Sequence, residues 1–282
     1  MSRPKTPNLS DSQIAGQLLV VGIDGTVLDA ELGRRLQTVC PGGIILFARN
    51  LVTAPQVAAL CRDLSTALPL PPFLAIDQEG GRVNRLKGIF PSIPANLSLA
   101  QSPAAEDLVR DHANQTGTGL RLLGFNLNFA PVLDLSEENS PNGIGDRAYG
   151  SDPGRVAHLA RIFLGAQDAA GVLGCGKHFP GLGGGTVDSH RELPVIPRSA
   201  EGLWNGDLLP YRELWDMRIT RPCRERRRTR RPSPAPWCGS CSGSASATGA
   251  SYLPMTWRWE RWIRRGVQEK WCWRPWRPAM IW

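Results

Sequence analysis

Short apolar runs alternate with longer amphipathic segments through the first 216 residues. The run Gln17–Ile23 (QLLVVGI) precedes an amphipathic stretch over Leu28–Val39, and Gly42–Ala48 (GGIILFA) precedes another over Ala54–Leu68. Pro72–Asp77 (PFLAID) leads into a loop, Phe125–Leu135 (FNLNFAPVLDL) reads as a further strand, and the amphipathic Gly154–Gly171 is followed by the run Gly171–Phe179 (GVLGCGKHF). Short apolar runs suit strands buried on both faces, and a 3.6-residue apolar period suits helices that cover them. Repetition of strand then helix predicts a parallel sheet wrapped by helices.

The positions of the ionisable residues narrow that prediction. Asp77, Asp134, Lys177 and His178 each stand at the C-terminal end of an expected strand. Functional groups gather at that end of a (β/α)8 TIM-type barrel, which is the expected fold. A doubly wound open sheet is the alternative, but no glycine fingerprint for a dinucleotide follows the first strand.

Composition is ordinary for a globular protein, with 41% hydrophobic and 21% charged residues in 282. The net charge of +8 is unevenly spread. From Arg218 onward the chain carries 15 of its 33 basic residues and three of its 25 acidic ones, leaving 18 basic against 22 acidic before that point. The body is therefore mildly acidic and the tail alone is basic. Cys40, Cys61 and Cys175 are isolated in the body, while Cys223, Cys238, Cys241 and Cys272 lie in the tail, so no disulfide framework is indicated. The N-terminal residues have no apolar core after their basic positions, and no segment approaches a membrane span of ~20 apolar residues. The expectation is a cytoplasmic protein with no membrane partner.

The densest chemistry lies between Cys175 and His190, in CGKHFPGLGGGTVDSH. A strand delivers Lys177 and His178 at its end, glycines allow close approach of backbone to a ligand, and Asp188 and His190 follow two residues apart. Four histidines without a second ligand pair at metal-binding spacing indicate no metal site, and Cys238 with Cys241 has no partner pair.

This block, together with AIDQEGGRVNRL at Ala75–Leu86 and GIGDRAYGSDP at Gly143–Pro153, resembles glycoside hydrolase family 3, within it the β-N-acetylhexosaminidases of peptidoglycan recycling. The resemblance spans about Gln17 to Leu214. It implies a retaining glycosidase that releases terminal β-linked N-acetylglucosamine from muropeptides, acting as a monomer without metal or organic cofactor. By motif, His190 is the acid/base and Asp188 its partner, and Asp77, Arg85, Arg147, Lys177 and His178 bind the sugar. Imidazole titrates near neutral pH, and a neighbouring carboxylate fixes its tautomer. Carboxylate and guanidinium groups suit a pyranose because each engages adjacent hydroxyls. Glu79 is expected to brace the glycine turn of DQEGGR. Relatives often carry histidine where this chain has Leu182.

The resemblance stops near Asp216, which divides the chain into an incomplete barrel domain over residues 1–216 and a tail over 217–282. The tail has eight of the ten tryptophans, no sustained period of 3.6 or 2, and no aspartate. The family needs a nucleophilic aspartate there, usually within a Ser/Thr-Asp-Asp-Leu motif. Reading each codon instead as the third base of one residue plus the first two of the next forces valine from Trp237–Cys238, aspartate from Met255–Thr256, glycine from Trp259–Glu260, and aspartate from both Trp262–Ile263 and Met280–Ile281. With permitted codons between them, Ala245–Ile263 reads LGYRGVVFTDDLEMGAMD. A one-nucleotide frameshift near Trp215–Arg218 is therefore expected, and the chain as printed is expected to be inactive. The competing class is a non-catalytic sugar- or nucleic-acid-binding protein, in which Arg226, Arg227 and Arg228 contact phosphates while Trp257, Trp259 and Trp262 stack on bases. Wrong-frame translation of GC-rich DNA accounts for the same composition, so no nucleic-acid partner is expected.

Overall fold

The computed structural model describes residues 8–187 and 194–217. Five strands form one parallel sheet: β1 Val20–Gly22, β2 Gly43–Ile45, β3 Phe73–Ile76, β4 Leu127–Asn128 and β5 Leu173–Gly174. They stand in the order β1-β2-β3-β4-β5, each paired with the next in sequence. The register runs Val20 to Gly43, Gly43 to Phe73, Ala75 to Leu127 and Leu127 to Leu173. A doubly wound sheet reverses its order at a switch point, whereas a barrel adds each strand beside the last. Among the described residues the order never reverses, so the sheet is an arc of a TIM-type barrel.

The helices are α1 Asp11–Gly16, α2 Ala30–Val39, α3 Ala54–Thr66, α4 Asn96–Gln101, α5 Ala105–Leu123, α6 Pro153–Ala169, α7 Ala200–Asn205 and α8 Leu209–Glu213. Local chemistry sets their starts. Asp29 accepts a hydrogen bond from Leu32 N at 2.8 Å to open α2, and Asp152 accepts from Arg155 N at 2.6 Å to open α6, with Pro153 at the first helical position. Gly124 ends α5 in the left-handed conformation at φ 95°, where a side chain is strained.

Two departures from the expected elements have physical causes. The run Phe125–Leu135 pairs continuously only over Leu127–Asn128, then again at the isolated bridge from Val132 to Lys177. Pro131 has no N–H to give the ladder between them. The longest helix, α5, is absent from the expected elements although its buried positions recur at helical spacing. Its buried face consists largely of Ala105, His112, Ala113, Thr116 and Gly117 beside Val109, Leu120 and Leu123.

Burial divides into two main clusters. Ile44, Leu46, Leu60, Leu64, Leu74, Ile76 and Leu120 pack β2 and β3 against α3 and α5. Val109, Ala113, Leu133, Tyr149, Leu159, Phe163 and Leu214 join α5, α6 and the end of α8. Gly117 lets α5 and α6 approach closely, since a Cβ there would lie 2.8 Å from Ala170 Cβ. No described helix is long and apolar enough to cross a membrane.

Candidate active site

The chain leaves β3 directly into Asp77, Gln78 and Glu79, and leaves β5 into Cys175, Gly176 and Lys177. The barrel arc therefore brings residues a hundred positions apart to one rim. Lys177 Nζ donates to Asp77 Oδ1 at 2.7 Å and lies 2.5 Å from Glu79 Oε1. Arg147, in a 3-10 turn over Gly145–Arg147, donates through Nε to Glu79 Oε2 at 2.8 Å and through a terminal nitrogen to Glu79 Oε1 at 2.9 Å. This two-point pairing fixes the guanidinium plane. Asn96 Nδ2 holds the Arg147 carbonyl at 2.8 Å.

Glu79 is the hub of this arrangement, with its side chain 1% exposed. Burial pushes its carboxyl upward, but hydrogen bonds from Arg147 and the charge of Lys177 outweigh burial and hold it at about 2. Arg147 is likewise opposed by burial and held above its ordinary value by Glu79. The expectation that Glu79 braces the glycine turn needs correction. Its backbone amide donates to Val83 O at 3.0 Å within that turn, while its side chain spans to the two cations.

A second carboxylate works beneath His178. Asp134, fully buried, accepts from His178 N at 3.2 Å and from Leu182 N at 2.6 Å, and its Oδ2 stands 2.6 Å from His178 Nδ1. On its other side, His178 Nε2 stands 3.3 Å from a terminal nitrogen of Arg147. Leu182 is buried with Val132, Ile144 and Ala148, so in this chain the loop is anchored by an apolar side chain at that point. Gly183 is required by the same packing, because a Cβ there would fall 1.8 Å from Leu135 O.

Of the expected sugar-binding residues, the rim thus brings together Asp77, Arg147, Lys177 and His178. Arg85 follows on the same loop, tied through its amide to Gln78 Oε1 at 3.0 Å, and its buried Nε has no hydrogen-bond partner among the described residues. The expected acid/base His190 and its partner Asp188 lie outside the described residues. Sequence reasoning missed Glu79 as an electrostatic hub. Asp134 it placed at a strand end without a role.

The rim contrasts with a cleft of about 390 Å³ at the other end of β3, lined by Cys61, Arg62, Pro72, Leu74, Arg121 and Asn126 among others. Burial pushes the Cys61 thiol up to about 12, so it stays protonated at neutral pH. Chemistry concentrates at the rim instead.

Comparison with known proteins follows the same geometry. The model of the glycosyl hydrolase family 3 N-terminal domain matches residues 12–220. The chain belongs to glycosyl hydrolase family 3. It is 41% identical over 196 residues to a β-hexosaminidase of Pseudomonas aeruginosa, covering 70% of this chain and 58% of the relative. A β-hexosaminidase of Alkalilimnicola ehrlichii is 43% identical over 202 residues, with the same shares of 70% and 58%. Among solved structures, native NagZ from Neisseria gonorrhoeae superposes with a TM-score of 0.66 at 35% identity, covering 70% of this chain and 58% of that one. A glycoside hydrolase family 3 β-N-acetylglucosaminidase from Paenibacillus gives 0.69 at 37% identity, covering 73% and 40%. The family match spans little more than half the length of the curated relatives.

Proposed function

We propose that this sequence encodes the sugar-binding portion of a β-N-acetylhexosaminidase that removes terminal β-linked N-acetylglucosamine from peptidoglycan fragments in the cytoplasm. The observation that carries the reading is the convergence of Asp77, Arg147, Lys177 and His178 on the C-terminal rim of a family 3 barrel arc. Asp77, 20% exposed, and His178, 27% exposed, are the members that reach solvent most, while Arg147 and Lys177 hold them by charge and hydrogen bonding. Such a rim offers carboxylate, ammonium and imidazole groups to neighbouring hydroxyls of one pyranose.

For the reaction, His190 donates a proton to the leaving oxygen and later activates water, with Asp188 orienting its imidazole. An aspartate on the opposite face of the anomeric carbon forms the covalent glycosyl-enzyme, so configuration is retained. No aspartate follows Asp216 in the printed chain. The nucleophile belongs to the alternative reading frame, at the codon spanning Pro254 and Met255, and residues 217–282 are its out-of-frame product. The end of the family match at residue 220 supports this boundary. The chain as printed therefore binds sugar without cleaving it.

The test compares two proteins on a chromogenic aryl β-N-acetylglucosaminide: the printed chain, and the chain restored to the alternative frame by one nucleotide near codons 215–218. The restored enzyme turns over with retention of configuration, and the printed chain shows no turnover. Hydrolysis by the printed chain would refute the assignment of the nucleophile. An inactive restored chain, or inversion at the anomeric carbon, would overturn the enzymatic reading.

A further inference from the structure

The Asp134 carboxylate is fully buried, yet among the described residues no lysine or arginine forms an ion pair with it. A buried carboxylate needs compensation, and among the described residues the hydrogen-bond contacts of Asp134 come from one short loop, with the charge of Arg147 acting from farther off. One oxygen accepts from the backbone amide of His178 and stands 2.6 Å from its ring Nδ1, and the other accepts from the amide of Leu182. The two ends of the segment 178–182 are thus tied to one side chain that arrives from the neighbouring strand end. The parallel bridge from Val132 to Lys177 and the bond from Leu133 N to Lys177 O at 2.6 Å fix the distance between them.

The far nitrogen of the same imidazole carries the second half of the argument. His178 Nε2 faces Arg147, and a guanidinium has donors only. An ionised carboxylate accepts only, so Nδ1 carries the proton on the Asp134 side and Nε2 keeps its lone pair on the Arg147 side. We propose that Asp134 is a positioning residue that locks His178 in the Nδ1–H tautomer and presents Nε2 as a fixed acceptor at the rim. Under the sugar-site reading, which this consequence alone rests on, the single Nε2 lone pair that faces Arg147 at 3.3 Å accepts instead from a ligand hydroxyl that takes the place of the guanidinium N–H. Asp134 itself touches no ligand.

The tautomer is read by two-bond ¹H–¹⁵N correlation of the imidazoles in the full-length ¹⁵N-labelled chain, with His178→Gln identifying the His178 signals among those of four histidines. In the wild type, Nδ1 gives the pattern of a protonated ring nitrogen and Nε2 that of a bare one. Asp134→Asn abolishes that pattern, because an amide can also donate to Nδ1 and release the tautomer. Asp77→Asn, which alters the rim without touching the clamp, leaves the pattern in place. A wild-type His178 protonated at Nε2, or an Asp134→Asn protein that keeps the wild-type pattern, overturns the proposal. If Asp134→Asn does not fold, the wild-type spectrum decides alone. The spectrum requires neither sugar binding nor catalysis, so a protein that fails both can still sustain or refute this inference.

Discussion

The body of the sheet and its rim are held by different physics. Beneath the strands, Ile44, Leu60, Leu64, Leu74 and Ile76 pack by burial that is nearly indifferent to direction. At the rim, Glu79, Arg147, Lys177, Asp134 and His178 are held by bonds whose geometry is specific to each partner. The first region tolerates changes that preserve volume; the second does not tolerate changes that preserve only charge or size. The contrast also separates stability from function, since the apolar body makes the arc and the rim makes the site.

The largest expected effect comes from Glu79→Gln. It leaves the largely buried Arg147 without its counter-charge and Lys177 with Asp77 alone, at a cost of about 3 kcal/mol or more, measurable by urea unfolding. A loss under about 1 kcal/mol would erase the distinction drawn here. Next, Leu64→Ala in the body costs about 3 kcal/mol through lost burial and a cavity, whereas Leu64→Met costs under about 1.5 kcal/mol. If both substitutions cost the same, the body is not held by volume alone.

A third effect lies between the regions. His112 on α5 is 3% exposed, and burial lowers its pKa from the usual 6.5 to about 4. In the unfolded chain this histidine takes up a proton near pH 6.5, while in the folded chain it resists until about pH 4. Its contribution is therefore complete above pH 6.5 and is lost as pH falls toward 4, by about 3 kcal/mol in all. As pH falls through that window, wild type should lose about 3 kcal/mol relative to His112→Phe, measured by unfolding at each pH. Parallel curves would show that other groups set the slope.

The smallest expected effect sharpens the rim. Arg147→Lys keeps the charge but loses the two-point bond to Glu79, for about 2 kcal/mol of stability. A loss comparable to Glu79→Gln would mean that the fork, not the charge, carries the pairing.

How much of this was legible in the sequence follows the same division. Strands β2, β3 and β5 announce themselves as short apolar runs because the sheet is covered there, β1 does so although Val20 is exposed, and Asp77, Lys177 and His178 stand visibly after β3 and β5. Helix α5 keeps the helical period, with Val109, Ala113, Thr116, Leu120 and Leu123 on its buried face, but close packing on α6 favours alanine, glycine and threonine there, so a search for large apolar residues passes over it. The interruption at Pro131 was readable in principle, since proline cannot complete a central ladder. Glu79 was not, because its partner Arg147 is 68 positions away and no local pattern encodes that pairing. Asp134 and His178 are separated by 44 positions for the same reason. The pair Asp188 and His190 and the tail over 217–282 lie outside the described residues, except Met217, which packs against the second core cluster.

The central claim is that the rim is a sugar site, and isothermal titration of the purified chain with N-acetylglucosamine tests it most directly. The account predicts saturable binding that Asp77→Asn weakens by about tenfold or more, as loss of a charge-assisted hydrogen bond of ~1.5–3 kcal/mol requires, with Leu64→Met as the unaffected control. No binding by the folded wild-type chain, or binding that Asp77→Asn leaves unchanged, would contradict it.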